Sequence, residues 1–71
     1  MEEVYYGSNL NEICKYYNLI YSIKTNNYML NVIFKNDDIS FICEFDLTIY
    51  SFIECIDNSI LSLLNFLNFK L

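Results

Sequence analysis

The chain has no histidine, arginine, proline, alanine, glutamine or tryptophan, and a single glycine, Gly7. Without histidine there is no side chain whose ordinary pKa lies near neutrality for acid–base catalysis, and no imidazole to ligate zinc. Without arginine there is no planar fork to grip a carboxylate or phosphate through two parallel hydrogen bonds. A lone glycine cannot build a glycine-rich phosphate cradle. Cation is scarce as well. Nine carboxylates against four lysines leave a net charge of −5, which opposes a polyphosphate partner, because counterion release needs clustered Lys or Arg. No apolar run is long and unbroken enough to span a bilayer, and the opening MEEVYYGS lacks the basic and apolar regions of a signal peptide. Cys14, Cys43 and Cys55 are odd in number and irregular in spacing. They read as reduced thiols of a cytoplasmic protein rather than as a disulfide framework.

What the chain does contain is apolar bulk. Its 71 residues make one domain, 1–71. A domain of this size hides only roughly 60% of the surface its unfolded chain exposes. The 55% apolar content, with seven Tyr and six Phe, supplies the large side chains such a core requires. The excess of Asn, Ile, Lys, Tyr and Phe is also what an AT-rich coding sequence produces, so abundance of Asn or Tyr alone carries little functional meaning.

Periodicity implies an α+β fold of order αβββα. Asn9, with Glu12 three residues on, has the spacing of a capping box, and Leu10, Ile13, Cys14 and Tyr17 fall on one face, which predicts a short helix over about 9–18. The period then drops to two. Leu19, Tyr21, Ile23 and Thr25 alternate with Ile20, Ser22 and Lys24; after a turn at Asn26-Asn27, Tyr28, Leu30, Val32 and Phe34 alternate with Met29, Asn31, Ile33 and Lys35. That turn would set Ile23 opposite Leu30 and Tyr21 opposite Val32. Asn36, Asp37 and Asp38 form the next turn, before a strand with Ile39, Phe41, Cys43 and Phe45 on the inner side. The result is a three-stranded antiparallel meander whose outer face is only half polar.

The last third returns to a helical period. Ile49, Phe52, Ile53, Ile56, Ile60, Leu63, Leu64, Leu67 and Leu71 lie in one stripe at about 100° per residue. One long helix over about 47–70 follows, with a break at Asp57, Asn58 and Ser59 as the alternative. Such a helix measures about 35 Å and the strands about 25 Å, so its far end should overhang the sheet. Leu61, Phe66 and Phe69 fall outside the stripe. These three, with overhanging Leu67 and Leu71, would leave an apolar patch in water. The patch predicts self-association through Leu61, Phe66, Leu67, Phe69 and Leu71, with a dimer as the expected state.

The order helix, three antiparallel strands, helix resembles double-stranded-RNA-binding domains. Those place a lysine cluster at the start of the last helix, where this chain reads DLTIYSFIECID with Asp46, Glu54 and Asp57, so direct nucleic-acid binding is not expected. In fold order and acidity the chain also resembles some small phage-encoded anti-CRISPR proteins. That resemblance concerns fold order and charge only, and fold does not imply function.

Residues capable of chemistry are few. The cysteines are the sole nucleophile candidates, yet Cys14 and Cys43 fall on core-facing positions and Cys55 lies off the main stripe; a buried thiol without a basic neighbour is inert. Asp37 and Asp38 lack the further oxygens and central glycine of a calcium loop. The expectation is a non-enzymatic, cytoplasmic protein-binding module without metal or cofactor, acting by occlusion as an anti-defence, anti-CRISPR-like or antitoxin-like inhibitor. Candidate partner-binding residues are Tyr16 and Tyr50, aromatic and poorly placed for the core, with the acidic Asp37, Asp38, Glu54 and Asp57. The alternatives are a structural homo-oligomer and an oligomer that sequesters a small molecule between subunits, for which Lys24 and Lys35 on the outer sheet face would form an anion site. No membrane partner is expected.

Overall fold

Alternation in the middle of the chain builds the centre of the molecule. A computed structural model describes the backbone of residues 2–70 and the side chains of residues 10–68. Helix α1 spans Glu2–Tyr17, strands β1, β2 and β3 span Ile20–Asn26, Met29–Lys35 and Ser40–Asp46, and helix α2 spans Phe52–Lys70. The strands make one antiparallel sheet in the order β1-β2-β3. The fold is therefore the αβββα arrangement that periodicity implies.

The register of the first hairpin departs from the expected one. Ile23 faces Val32 and Tyr21 faces Phe34, because the turn is Asn27-Tyr28 instead of Asn26-Asn27. Asn27 alone takes the positive φ, at 60°, a conformation that asparagine tolerates better than most residues. The displacement is two residues, and side chains alternate with a period of two, so every residue keeps its face. Across the sheet the inner rows read Tyr21-Phe34-Phe41, Ile23-Val32-Cys43 and Thr25-Leu30-Phe45. On the central strand Leu30, Val32 and Phe34 are each wholly enclosed. Complete burial of such a side chain is worth roughly 1.5–3 kcal/mol.

Asn36 shapes the second hairpin. Its Oδ1 accepts hydrogen bonds from the amides of Asp38 at 2.8 Å and Ile39 at 2.9 Å, and its Nδ2 donates to the Asn18 carbonyl at 3.1 Å. The same side chain thus folds the turn and ties it to the end of α1.

Helix α1 starts well before Asn9, so the Asn9–Glu12 pair lies within it and does not cap it. Gly7 costs about 1 kcal/mol relative to alanine inside a helix, and the helix passes through it. Leu10 and Cys14, one turn apart, are buried against the sheet and α2, with Ile13 and Tyr17 half-buried beside them. The helix ends in a Schellman motif: the Leu19 amide donates to the Cys14 carbonyl at 2.7 Å and the Asn18 amide to Lys15 at 3.4 Å. Asn18 takes the left-handed conformation, φ 58°, that this motif requires.

Helix α2 begins at Phe52, five residues later than periodicity suggested. The cap is Ser51: its amide donates to Glu54 Oε1 at 2.8 Å while its Oγ accepts from the Glu54 amide at 3.2 Å. This is a reciprocal capping box. Residues 47–50 instead form a turn held by Asp46, whose Oδ1 accepts from the Thr48 amide at 2.9 Å and the Thr48 hydroxyl at 2.6 Å. The helix is continuous across Asp57, Asn58 and Ser59, and no break occurs there. Ser59 is fully buried and donates its hydroxyl to the Cys55 carbonyl at 2.7 Å, so a polar residue sits inside without an unmet hydrogen bond.

The buried face of α2 is rotated from the expected stripe. Cys55, Ile56, Ser59, Ile60, Leu63 and Leu67 point inward, whereas Ile49 and Ile53 are exposed. The small Cys55 and Ser59 face inward together. Leu67, expected to overhang into water, is 5% exposed within the core, and half-buried Phe66 stacks on Phe41 with ring centroids 4.6 Å apart. The helix is shorter than expected, about 28 Å for its 19 residues, and Leu67 still lies within the core.

Two substitutions test these helix ends. Asn18→Ala should cost about 1 kcal/mol because a Cβ without a compensating polar group resists the left-handed region, while Asn18→Gly should be neutral or stabilising. Ser51→Ala should also cost about 1 kcal/mol through loss of the cap. Urea denaturation midpoints followed by circular dichroism provide the measure.

Candidate functional site

Thiols come first, as the nucleophile candidates singled out by the sequence. All three are free and buried. Burial raises the pKa of Cys14 and Cys43 above the ordinary thiol range, with the Ser59 hydroxyl partly offsetting this at Cys43. Cys55 is raised by burial and further by the negative charge of Glu54. A thiol held neutral and enclosed packs as a small apolar side chain. Among the described residues no group of three or more His, Cys, Asp or Glu side chains is placed to hold a metal ion.

Two surfaces remain, and topology defines both. The first lies at the end of the sheet where the β1–β2 turn meets the β3–α2 connection. The Leu47 amide donates to the Tyr28 carbonyl at 2.7 Å, and the Ile49 and Tyr50 amides both donate to the Asp46 carbonyl at 3.0 Å. These bonds hold Tyr28, Ile49 and Tyr50 around one end, with Ile53 following on the first turn of α2. Tyr28 and Ile49 are each 70% exposed, Ile53 49% and Tyr50 40%. Tyr50 is oriented by an edge-on contact with Phe45, centroids 5.8 Å apart. Asp46, Glu54 and Asp57 supply the charge around this collar. The Thr48 hydroxyl and amide hold the Asp46 carboxyl below its usual range.

Of the residues expected to bind a partner, Tyr50, Glu54 and Asp57 belong to this end. Glu54 is also committed to the cap of α2. Tyr16, 81% exposed and edge-on to Tyr17, lies near the opposite end with Asp37 and Asp38 in the β2–β3 turn. The six therefore do not form one patch. Ile49 and Ile53, expected on the buried stripe of the last helix, are surface residues. The signal for both is Ser51-Phe-Ile-Glu54, whose capping-box spacing starts the helix at residue 52 and leaves Ile49 in a turn.

The second surface is the outer face of the sheet. Ile20 and Ile42 are exposed there and Ile33 is half-buried, mixed with Lys24, Asn31, Lys35 and Glu44. Asn31 Oδ1 is buried and accepts no hydrogen bond. Lys24 pairs with Asn31 and Lys35 with Ile20, which sets their backbones about 14 Å apart along the strands. A shallow groove of ≈ 370 Å³ lined by Asn18, Leu19, Ile20, Lys35, Asn36 and Asp37 lies at one corner.

The residues expected to mediate self-association are divided. Leu61 is exposed, Leu67 is core and Phe66 packs on Phe41; the side chains of Phe69 and Leu71 lie outside the described residues. No helix of the described residues is long and apolar enough to cross a membrane. Comparison of the chain with known protein families, with curated proteins and with solved structures finds no match.

The thiols carry a signed prediction. Their folded pKa values lie above the unfolded ones, so the associated stability is complete below the ordinary thiol pKa of about 8.5 and is lost as pH rises through the folded values. The denaturation midpoint should fall above that pH. Reaction with a disulfide reagent at neutral pH should be slow in the folded protein and fast in urea.

Proposed function

We propose that this protein is a small acidic binding module that acts without catalysis, covering a surface of a target protein in the manner of an anti-defence, anti-CRISPR-like or antitoxin-like inhibitor. The observation that carries this reading is the collar at the end of the sheet. Tyr28, Ile49, Tyr50 and Ile53 present aromatic and branched side chains to solvent on backbone tied by turn and cap hydrogen bonds. Rigidly held aromatic and aliphatic anchors lose little conformational freedom on binding, which is what the centre of a tight interface needs.

Charge supports the same reading. Asp46, Glu54 and Asp57 border the collar within a chain of net charge −5. A complementary target would offer an apolar depression rimmed by lysine or arginine, such as the nucleic-acid channel of a defence enzyme. Long-range attraction would then speed the encounter, and the apolar centre would hold the complex.

The tagged protein and a collar variant, Ile49→Asp with Tyr28→Ser, should be compared in affinity capture from lysate of the native host, with mass spectrometry of what is retained. Both sites are exposed, so the variant should keep the wild-type circular dichroism. A partner held by the wild type should be lost from the variant, with affinity reduced at least about a hundredfold given anchors worth ~2 kcal/mol or more. Retention of only the chain itself, or a partner indifferent to the double substitution, would overturn the proposal.

A further inference from the structure

Both helices contribute to a core on the inner side of the sheet. The outer face has charges arranged in a pattern that selects one occupant. Its two middle rows, read across β1, β2 and β3, are Ser22-Ile33-Ile42 and Lys24-Asn31-Glu44. The second row carries a cation on one edge strand, an anion on the other, and between them the amide whose buried Oδ1 accepts no hydrogen bond. We infer that this face receives the same face of a second copy of the chain, related by a two-fold axis running along β2.

Charge chooses the axis. Rotation about β2 lays β1 of one copy over β3 of the other while every row stays opposite itself. Lys24 then meets Glu44 of the other copy, twice over, and the two Asn31 side chains meet on the axis at the centre. Ile33 packs on Ile33, and Ile42 covers Ser22. A two-fold axis across the strands fares worse. Placed on the charged row, it sets Lys24 against Lys24 and Glu44 against Glu44; placed between the two rows, it buries Glu44 against Ile42 and leaves Asn31 facing Ile33. A lone partner helix or strand of another protein would have to supply an anion, an amide and a cation in matching order, whereas a second copy supplies them by symmetry.

The remaining groups tolerate this arrangement. Asp46 falls over Asn26, a potential donor. Lys35 falls over Lys35, but in the last row, where a long side chain can extend into water. Both sheets keep β2 aligned, as in aligned face-to-face packing. The flat area of the two faces together is roughly 700 Å² before corrugation, from strands of ~24 Å and a sheet ~14 Å wide. That is below the ~1,000 Å² expected of stable association, so the dimer is a weak one that forms only toward millimolar concentration. The collar at the end of the sheet remains open in it, so this inference and the proposed target binding stand or fall separately.

Sedimentation velocity from low micromolar to millimolar concentration tests the arrangement. The wild type should pass from monomer to dimer. Lys24→Glu and Glu44→Lys should each weaken the dimer at least about tenfold, since each replaces two attractions by two repulsions. The doubly exchanged K24E/E44K chain should recover it, and Asn31→Asp, which opposes two carboxylates on the axis, should abolish it, with circular dichroism unchanged throughout. A wild type monomeric at every concentration, single variants that dimerise normally, or an exchange that restores nothing would each overturn the proposal. So would a dimer dissolved by Leu61→Asp and indifferent to Lys24 and Glu44.

Discussion

Burial of the inner side of β2 is the constraint on which the rest of the structure depends. Leu30, Val32 and Phe34 lose all contact with water, and only a cover laid across the sheet can achieve that. Residues of both helices join the strands in that core. Helix α2 lies on the sheet, and its inward face carries the small Cys55 and Ser59 where larger residues would hold it off. The Ser59 hydroxyl, satisfied by the helix's own backbone, makes close approach possible without an orphaned polar group.

One cover leaves one face without cover. A single antiparallel sheet can keep its second face in water when that face is polar, yet here Ile20, Ile33 and Ile42 interrupt the polar residues and an amide oxygen is enclosed without a donor. Tyr28, Ile49, Tyr50 and Ile53 likewise stay outside the core at the end of the sheet. Both surfaces therefore hold apolar side chains that this fold does not enclose.

Much of the fold was legible because its signals are redundant. Alternation on three strands specified which side of each residue faces inward, and the hairpin turn could move by two residues without disturbing that assignment. The start of α2 was legible too, in Ser51 and Glu54, but apolar residues at helical spacing continue upstream through Ile49 and mask it. The same spacing occurs at Asn9 and Glu12, where it caps nothing, because residues before it are already helical. Spacing alone cannot distinguish a cap from a pair inside a helix; the conformation of the preceding residue decides.

The candidate surfaces were less legible. Tyr50, Glu54 and Asp57 do sit near the collar, whereas Tyr16, Asp37 and Asp38 are carried to the other end, since which turns share an end depends on strand direction and pairing. Leu67 illustrates the same limit. Its position on an apolar stripe says that it faces something, but whether that is the chain's own sheet or another molecule depends on where the helix begins and how it is rotated. By itself the sequence determined the order of elements, the inward side of each strand, the acidity and the lack of imidazole and guanidinium, all of which are local or additive properties. Only the tertiary structure decided which apolar residues are left in water, because exposure is a property of the fit between helix and sheet and belongs to neither segment alone.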